Sequence, residues 1–415
     1  MSPTPRVDLV APPYAGHLFP LLDLARGLAE RGFDRLRVLS TSDAADAVRR
    51  CGLPLVPLLP GREAEVMAVA NTSGQAGGNP LRLLQQFRAN VGLMRDLCDQ
   101  LEREWAADRP DLVLVDYTVP LAGLTARRLG IRWWTSTPSP CLIETRTGTP
   151  ACLGGWGPPR GVLGQLRDAV GRAAVRLFKR GFAALLRKEL RAVGVRGVYR
   201  PDGSEVMYSP ERVLAFGMKE FEFPRDWPPA VEFVGPLTAC PPVPHAPPTF
   251  PPGKRCILVT LGTHLPWARP RAAELVRRVA AEMPDCVFHS ALGEPGSTTL
   301  DIVGNVHTHG FIPYADHLPR YAAAVTHGGT GITYACLQAG VPVLVWPHDY
   351  DQHDNAARLA HHGLGLRLRP TPEQVTEDLR RLLTDPSFRD RALTFQTSAR
   401  RYDPHARVAT ALACG

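Results

Sequence analysis

Apolar residues in this chain alternate between short continuous runs and stripes at helical spacing. The first run covers 7–11, and a stripe follows over 18–31. The pair recurs as a strand over 36–40 with a helix over 44–51. It recurs again as a strand over 111–117 (DLVLVDY) with a helix over 121–129. Buried runs that alternate with helices predict a parallel, doubly wound sheet. Between 241 and 252 the chain then holds seven prolines. Proline lacks an amide donor and continues neither helix nor sheet, so 239–255 is predicted to be a semi-rigid linker. Alternation resumes with strands over 256–261, 287–291, 303–308, 322–326 and 341–346. Helices are predicted over 269–283, over 332–339 and from 372 to about 383, the last capped by Thr371 with Pro372 at its first position. The expected fold class is α/β, with two Rossmann-like parallel-sheet domains, 1–238 and 256–415, facing a cleft. The final helix is free to pack back on the first domain. Ligands in such sheets sit outside the carboxyl ends of the strands.

One stripe stands apart. Over 161–195, Leu163, Leu166, Val170, Leu177, Phe178 and Leu185 share one helical face, while Arg167, Arg172, Arg176, Lys179 and Arg180 share the other. Such a helix either packs its apolar face onto its own domain or lies on an anionic membrane surface.

Composition narrows the picture. A chain of 415 residues suits two domains, and 44% hydrophobic with 21% charged residues is ordinary for a globular protein. No apolar run approaches the roughly 18 residues of a membrane span. The opening residues are a polar lead into a short strand, unlike a secretory signal, so the expected location is the cytoplasm. The nine cysteines form no CxxC and no Cys/His cluster with zinc spacing; buried free thiols are expected, and no metal. The net charge of +8 suits an anionic ligand or lipid surface, but equally reflects an arginine-rich composition. No nucleic-acid module is present in the sequence.

Two strand-to-helix junctions carry candidate chemistry. His17, in Gly16-His17-Leu18-Phe19-Pro20, stands at a helix N-terminus, where the dipole disfavours imidazolium and favours the neutral ring a general base needs. Asp116 ends the strand DLVLVDY on the same carboxyl edge. Its carboxylate there either fixes the His17 tautomer or caps the following helix. The second junction is Thr326-His327-Gly328-Gly329-Thr330-Gly331, where glycines permit close approach and the helix N-terminus offers amides to a diphosphate. It lacks the Gly-Lys-Ser/Thr of a P-loop and the dinucleotide GxGxxG.

The chain here resembles the family 1 nucleotide-sugar-dependent glycosyltransferases of GT-B fold, of the bacterial natural-product or glycolipid type. The resemblance runs through GHLFP, FVGPL at 233–237, LVTLGT at 258–263, GFIP at 310–313 and THGGTG, and on through AGVPVLVWPHDYDQHDNAARL at 339–359. It implies an N-terminal acceptor domain and a C-terminal donor domain. His17 becomes the base that deprotonates the acceptor and Asp116 its partner. Thr263, His327, Gly328, Gly329, Thr330, Gly331 and Thr333 are implied at the diphosphate, and Phe311 with Ile312 at the nucleobase. Asp351 and Gln352 are implied at the sugar hydroxyls. Ala335 replaces a glutamate that often grips the ribose in UDP-sugar members, which favours a dTDP-sugar over a UDP-sugar. The resemblance implies an inverting reaction without a metal or other cofactor, the nucleotide-sugar being a co-substrate, and the sequence shows no DxD-like site within the diphosphate loop. Two alternatives share the fold: a nucleotide-sugar 2-epimerase, and a catalytically silent auxiliary of a partner transferase. Acceptor-pocket loops are expected over 62–80 and 136–159, with the acceptor a small hydrophobic or lipid-like molecule.

Overall fold

A computed structural model describes residues 4–70 and 80–414; of the expected pocket loop 62–80, positions 71–79 lie outside them. Two seven-stranded sheets form the molecule. The first contains β1 (Val7–Val10), β2 (Leu36–Ser40), β3 (Leu55–Pro57), β4 (Leu112–Asp116), β5 (Arg132–Thr137), β6 (Val213–Ala215) and β7 (Val231–Phe233). Its spatial order is β3-β2-β1-β4-β5-β6-β7, and every pair is parallel. The second contains β8 (Arg255–Thr260), β9 (Cys286–Ala291), β10 (Leu300–Val303), β11 (Val306–His309), β12 (Ala323–Thr326), β13 (Val343–Val345) and β14 (Gly365–Arg367), in the order β10-β11-β9-β8-β12-β13-β14. Helices cover both faces of each sheet, so the central strands are buried on both sides. The strand order reverses between β1 and β4 in one sheet and between β8 and β12 in the other. Loops diverge at such switch points and leave a crevice.

The structure corrects three features of the pattern. The run at 303–308 is not one strand. Gly304, at φ +60°, and Asn305 turn the chain so that Val303 pairs antiparallel with Val306, a two-residue hairpin that glycine and asparagine favour. β5, with the sequence RWWTST, lacks the continuous apolar run that marked the predicted strands, yet it is buried from Trp133 to Thr137; β3, β6, β7, β14 and all of β10 but Val303 likewise lie outside the predicted runs. The third correction concerns the helix Gly161–Leu185, which docks by its charged face. Lys179 Nζ lies 2.6 Å from both Glu144 and Glu205, and Arg176 Nε is 3.2 Å from Glu144. Its apolar residues point outward instead, with Leu163 82% and Leu177 72% exposed. Within the helix only Asp168 and Gly171 are buried.

The two halves are tied together. The C-terminal helix Pro404–Ala413 places Val408 and Leu412 in the core of the first sheet beside Leu18, Leu21 and Leu22. A methyl group at Gly27 would meet the His405 ring at 2.1 Å, so the two helices meet at a glycine. Deeper in, Glu222 Oε2 accepts from Arg358 Nη2 at 2.8 Å and Nε at 3.0 Å, and from Arg225 Nη2 at 2.8 Å. All three side chains are at most 2% exposed. Removing one member strands a buried charge. Arg358→Ala is expected to lower the free energy of unfolding by about 3–5 kcal/mol, as measured by urea denaturation followed by fluorescence. A loss under 1 kcal/mol would show that the two halves do not rely on this cluster.

Candidate active site

His17 lies in the first turn of the helix Ala15–Ala29, directly after β1. Asp116 is the last residue of the neighbouring β4. The parallel pairing of β1 with β4 brings both to one sheet edge. His17 Nδ1 is 3.1 Å and 3.2 Å from the two Asp116 oxygens, and Asp116 is only 1% exposed. Asp116 also accepts from the Thr118 amide at 2.9 Å and from the Thr118 hydroxyl. The carboxylate is therefore held from two sides, with Nδ1–H donating to it and Nε2 left as the basic nitrogen. The helix terminus does not set the ionisation here. Burial works to lower the His17 pKa, but the charge and hydrogen bond of Asp116, with the more distant charge of Asp351, outweigh it and raise the pKa overall.

The second junction sits where β8 and β12 diverge. His327 follows β12, and its ring is wedged between two glycines. A methyl group at Gly329 would come within 2.3 Å of the ring, and one at Gly262 within 2.7 Å. Gly328 has φ +83°, a conformation that disfavours any side chain, and its Cβ would strike Val345 at 2.7 Å. Burial lowers the His327 pKa to about 4, so the ring is neutral at pH 7, and its Nδ1 is buried without a partner. Thr330 opens the helix Thr330–Ala339 and Gly331 follows it. Thr333 is fully buried with its hydroxyl unpartnered, so it stands behind the loop rather than on its surface.

Asp351 joins the two halves at the cleft. Its Oδ2 accepts from Ser139 Oγ at 2.8 Å, from Asn355 Nδ2 at 3.3 Å and from the Thr330 hydroxyl. Ser139 belongs to the first half, two residues beyond β5. Asp349-Tyr350-Asp351 has the spacing of a metal-binding acidic pair, but Asp351 is turned into this hydroxyl network. Tyr350 between them has φ +54°, an uncommon conformation for a bulky side chain. The Gln352 carbonyl oxygen accepts from the amides of His348 and Asp349 at 2.8 Å and 3.0 Å.

The remaining expected residues divide. Thr263 is half-buried in the loop after β8. Phe311 is 8% exposed after β11, whereas Ile312 is 1% exposed and part of the core. Ala335 lies in the same core at 4% exposure. Sequence reasoning missed Ser139 and Asn355. Asn355 had a signal, because it follows Asp351 by one helical turn. Ser139 had none, because only the approach of the two halves gives it a partner.

Comparison with known proteins agrees with this geometry. Residues 284–412 match the family model described as erythromycin biosynthesis protein CIII-like, C-terminal domain. The chain is 29% identical to 4'-demethylrebeccamycin synthase of Lentzea aerocolonigenes over 92% of this chain and 93% of that protein. The glycotransferase of kitacinnamycin superposes with a TM-score of 0.75 at 23% identity, covering 99% of this chain and 98% of that one. The glycosyltransferase VinC, solved in complex with dTDP, superposes with a TM-score of 0.66 at 22% identity, covering 98% and 99%. The chain thus has the GT-B fold of these structures, carries an erythromycin-CIII-like C-terminal domain over 284–412, and is an enzyme similar over most of its length to bacterial natural-product glycosyltransferases.

Proposed function

We propose that this enzyme transfers a sugar, with inversion and without a metal, from a dTDP-sugar to a hydroxyl group of a small hydrophobic or lipid-like acceptor. The observation that carries the reading is the His17–Asp116 pair at the switch point of the first sheet, facing a glycine loop at the switch point of the second. The acceptor oxygen attacks the anomeric carbon as the bond to the diphosphate oxygen breaks. The hydroxyl proton passes to His17 Nε2, and Asp116 stabilises the imidazolium that forms. The diphosphate takes the bonding electron pair. Amides of Gly329, Thr330 and Gly331, the helix N-terminus and Thr263 meet its charge, while the Gly328 amide donates to the Thr326 hydroxyl at 3.2 Å and shapes the loop. His327 contributes as a neutral N–H donor, because burial keeps it unprotonated. Gln352 presents its amide nitrogen to a sugar hydroxyl, while Asp351 has its second oxygen for the same purpose. Phe311 stacks on the base. Ala335 supplies no carboxylate for a ribose hydroxyl, which favours a thymidine nucleotide; VinC was solved with dTDP, while relatives similar over part of the chain are UDP-glucuronosyltransferases. The epimerase and silent-auxiliary alternatives gain no support from relatives that carry transferase names, among them the elloramycin glycosyltransferase of Streptomyces olivaceus.

The exposed apolar face of the helix Gly161–Leu185 supports peripheral contact with the inner face of the membrane. Arg180, Arg187, Lys188 and Arg191 remain exposed on this helix and the segment after it, and suit anionic lipid. Among the described residues, no helix is long and apolar enough to cross a membrane.

Three outcomes test these assignments. His17→Ala is expected to lower turnover by about 10²–10⁴-fold with donor affinity unchanged by calorimetry; residual activity above about a tenth of wild type would remove His17 as the base. In wild type, kcat/KM should fall as pH drops through a His17 pKa above the ordinary value of about 6.5. Asp116→Asn removes the charge that raises this pKa, so the acid limb should move to lower pH, alongside a smaller rate loss than that of His17→Ala. A limb that stays in place would uncouple the pair.

His327→Ala should weaken dTDP binding about 10–100-fold, the size expected for a hydrogen bond to a charged group. Equal calorimetric affinities would place His327 outside the diphosphate site. For the helix Gly161–Leu185, the double change Leu163→Ser with Leu177→Ser should reduce co-sedimentation with phosphatidylglycerol vesicles at least about 10-fold, given the transfer energy of two leucine side chains. Equal binding to neutral and anionic vesicles would count against the role of the basic residues, and no binding by wild type would count against membrane contact.

A further inference from the structure

Three histidines outside the candidate active site share one face of the second sheet. In the parallel pairing of β9 with β11, His307 stands directly opposite His289. His309 lies two residues further along β11 and therefore on the same side. One ring nitrogen from each of the three lies within 4.8 Å of the other two. The ring centroids of His289 are 5.3 Å from those of His307 and 5.4 Å from those of His309. His289 and His309 are 0% and 1% exposed, and His307 is half-buried.

The hydrogen bonds show which nitrogens are committed. His309 Nδ1 donates to the Ala246 carbonyl at 3.1 Å, and His289 Nδ1 is 2.8 Å from the Tyr321 hydroxyl. In both residues Nε2 is buried without a hydrogen-bond partner. His309, whose Nδ1–H is tied to a carbonyl, presents a lone pair at Nε2, the arrangement found in metal-bound histidines; His289 presents the same lone pair when its Nδ1 donates to the Tyr321 hydroxyl. Buried ring nitrogens without a partner are otherwise costly. Burial, reinforced by the neighbouring imidazoles, lowers the His289 pKa to about 3, and burial also lowers those of His307 and His309. The rings are thus neutral at pH 7, the form that binds a metal. No carboxylate belongs to the group, which suits a late transition ion with imidazole ligands and not calcium or magnesium.

We propose that His289, His307 and His309 form a binding site for a zinc-class divalent ion that fastens the proline-rich linker onto the second sheet. The linker is already seated there. Ala246 accepts from the His309 ring, and the Phe250 ring packs edge-on at 5.3 Å from His289 and 5.1 Å from Tyr321. Two nitrogens bound to one zinc at about 2.0–2.1 Å in tetrahedral geometry stand about 3.3 Å apart. Binding therefore draws the rings inward by roughly 1.5 Å at most, and a fourth position remains for water. The ion is structural and takes no part in the transfer reaction proposed above.

The test uses the full chain without a polyhistidine tag, stripped of metal and titrated with Co²⁺ and then Zn²⁺. The expected result is one equivalent of Co²⁺ with the intense visible bands of a tetrahedral site, displaced by Zn²⁺. The loaded chain should also resist proteolysis in the 239–255 linker. His289→Gln combined with His309→Gln should weaken binding about 100-fold or more, since even loss of a residue that only orients a ligand costs 10–100-fold. His361→Gln should change nothing. If the double variant fails to fold, the half-buried His307→Gln alone should lose the tetrahedral bands. Binding well below one equivalent, or equal affinity in wild type and the His289, His307 and His309 variants, overturns the site.

Discussion

Glu222 sits between Arg225 and Arg358 where almost no water reaches, and the two sheets meet around it. Its carboxylate comes from the first half of the chain and Arg358 from the helix Gln352–His361 of the second. Two guanidinium groups on one carboxylate leave an excess of positive charge. Aromatic faces offset part of it: Arg225 lies 4.1 Å from the Trp227 ring centroid and Arg358 4.5 Å from that of Phe223. Backbone carbonyls of Cys141 and Ile143 accept further bonds from Arg225. A hydrophobic contact tolerates sliding, but buried charges with fixed partners tolerate little, so the cluster sets the register of one half against the other.

That register decides the chemistry at the cleft. Asp351 stands at the N-cap of the helix that carries Arg358, two turns before it, so the arginine that meets Glu222 also fixes where Asp351 meets Ser139. The Asp351 charge in turn reaches His17 and helps raise its pKa. The proposed base on one sheet and the proposed diphosphate loop on the other need a common frame, because general-base catalysis depends on hydrogen-bond reach. The frame here consists of charged and hydroxyl groups closed off from solvent, which makes it directional.

The helix Gly161–Leu185 shows the limit of patterning. Its stripe was read correctly as a helix, but amphipathicity does not say which face turns inward. The first half offers Glu144 and Glu205 at the docking surface, and Glu205 is itself buried. Lys179 and Arg176 satisfy those carboxylates, and leaving them unpaired would cost more than exposing several leucines to water. The apolar face is thus left outward by an electrostatic demand that originates elsewhere in the chain.

Much was legible from the sequence because it rests on local rules. Apolar runs predicted about half of the strands, namely β1, β2, β4, β8, β9, β12 and β13, with β11 in part. Glycines at 328 and 329 announced a loop open to close approach; in the structure a methyl group there would strike Val345 or the His327 ring, and Gly328 also has positive φ. The His17–Asp116 pairing was also readable, since both residues end up at carboxyl edges of adjacent strands. Other features required tertiary structure. The ionisation of His17 follows from a buried carboxylate and not from its helix terminus. Ile312 and Thr333 share motifs with cleft residues but face the core, because motif membership does not fix side-chain direction. The three-histidine face follows from the register of two strands separated by a hairpin, and no linear spacing encodes it. Sequence by itself determined the elements and the chemistry carried at their ends, since these depend on neighbours along the chain. Charge state, facing and partnership depend on neighbours in space, and only the packed structure supplied those.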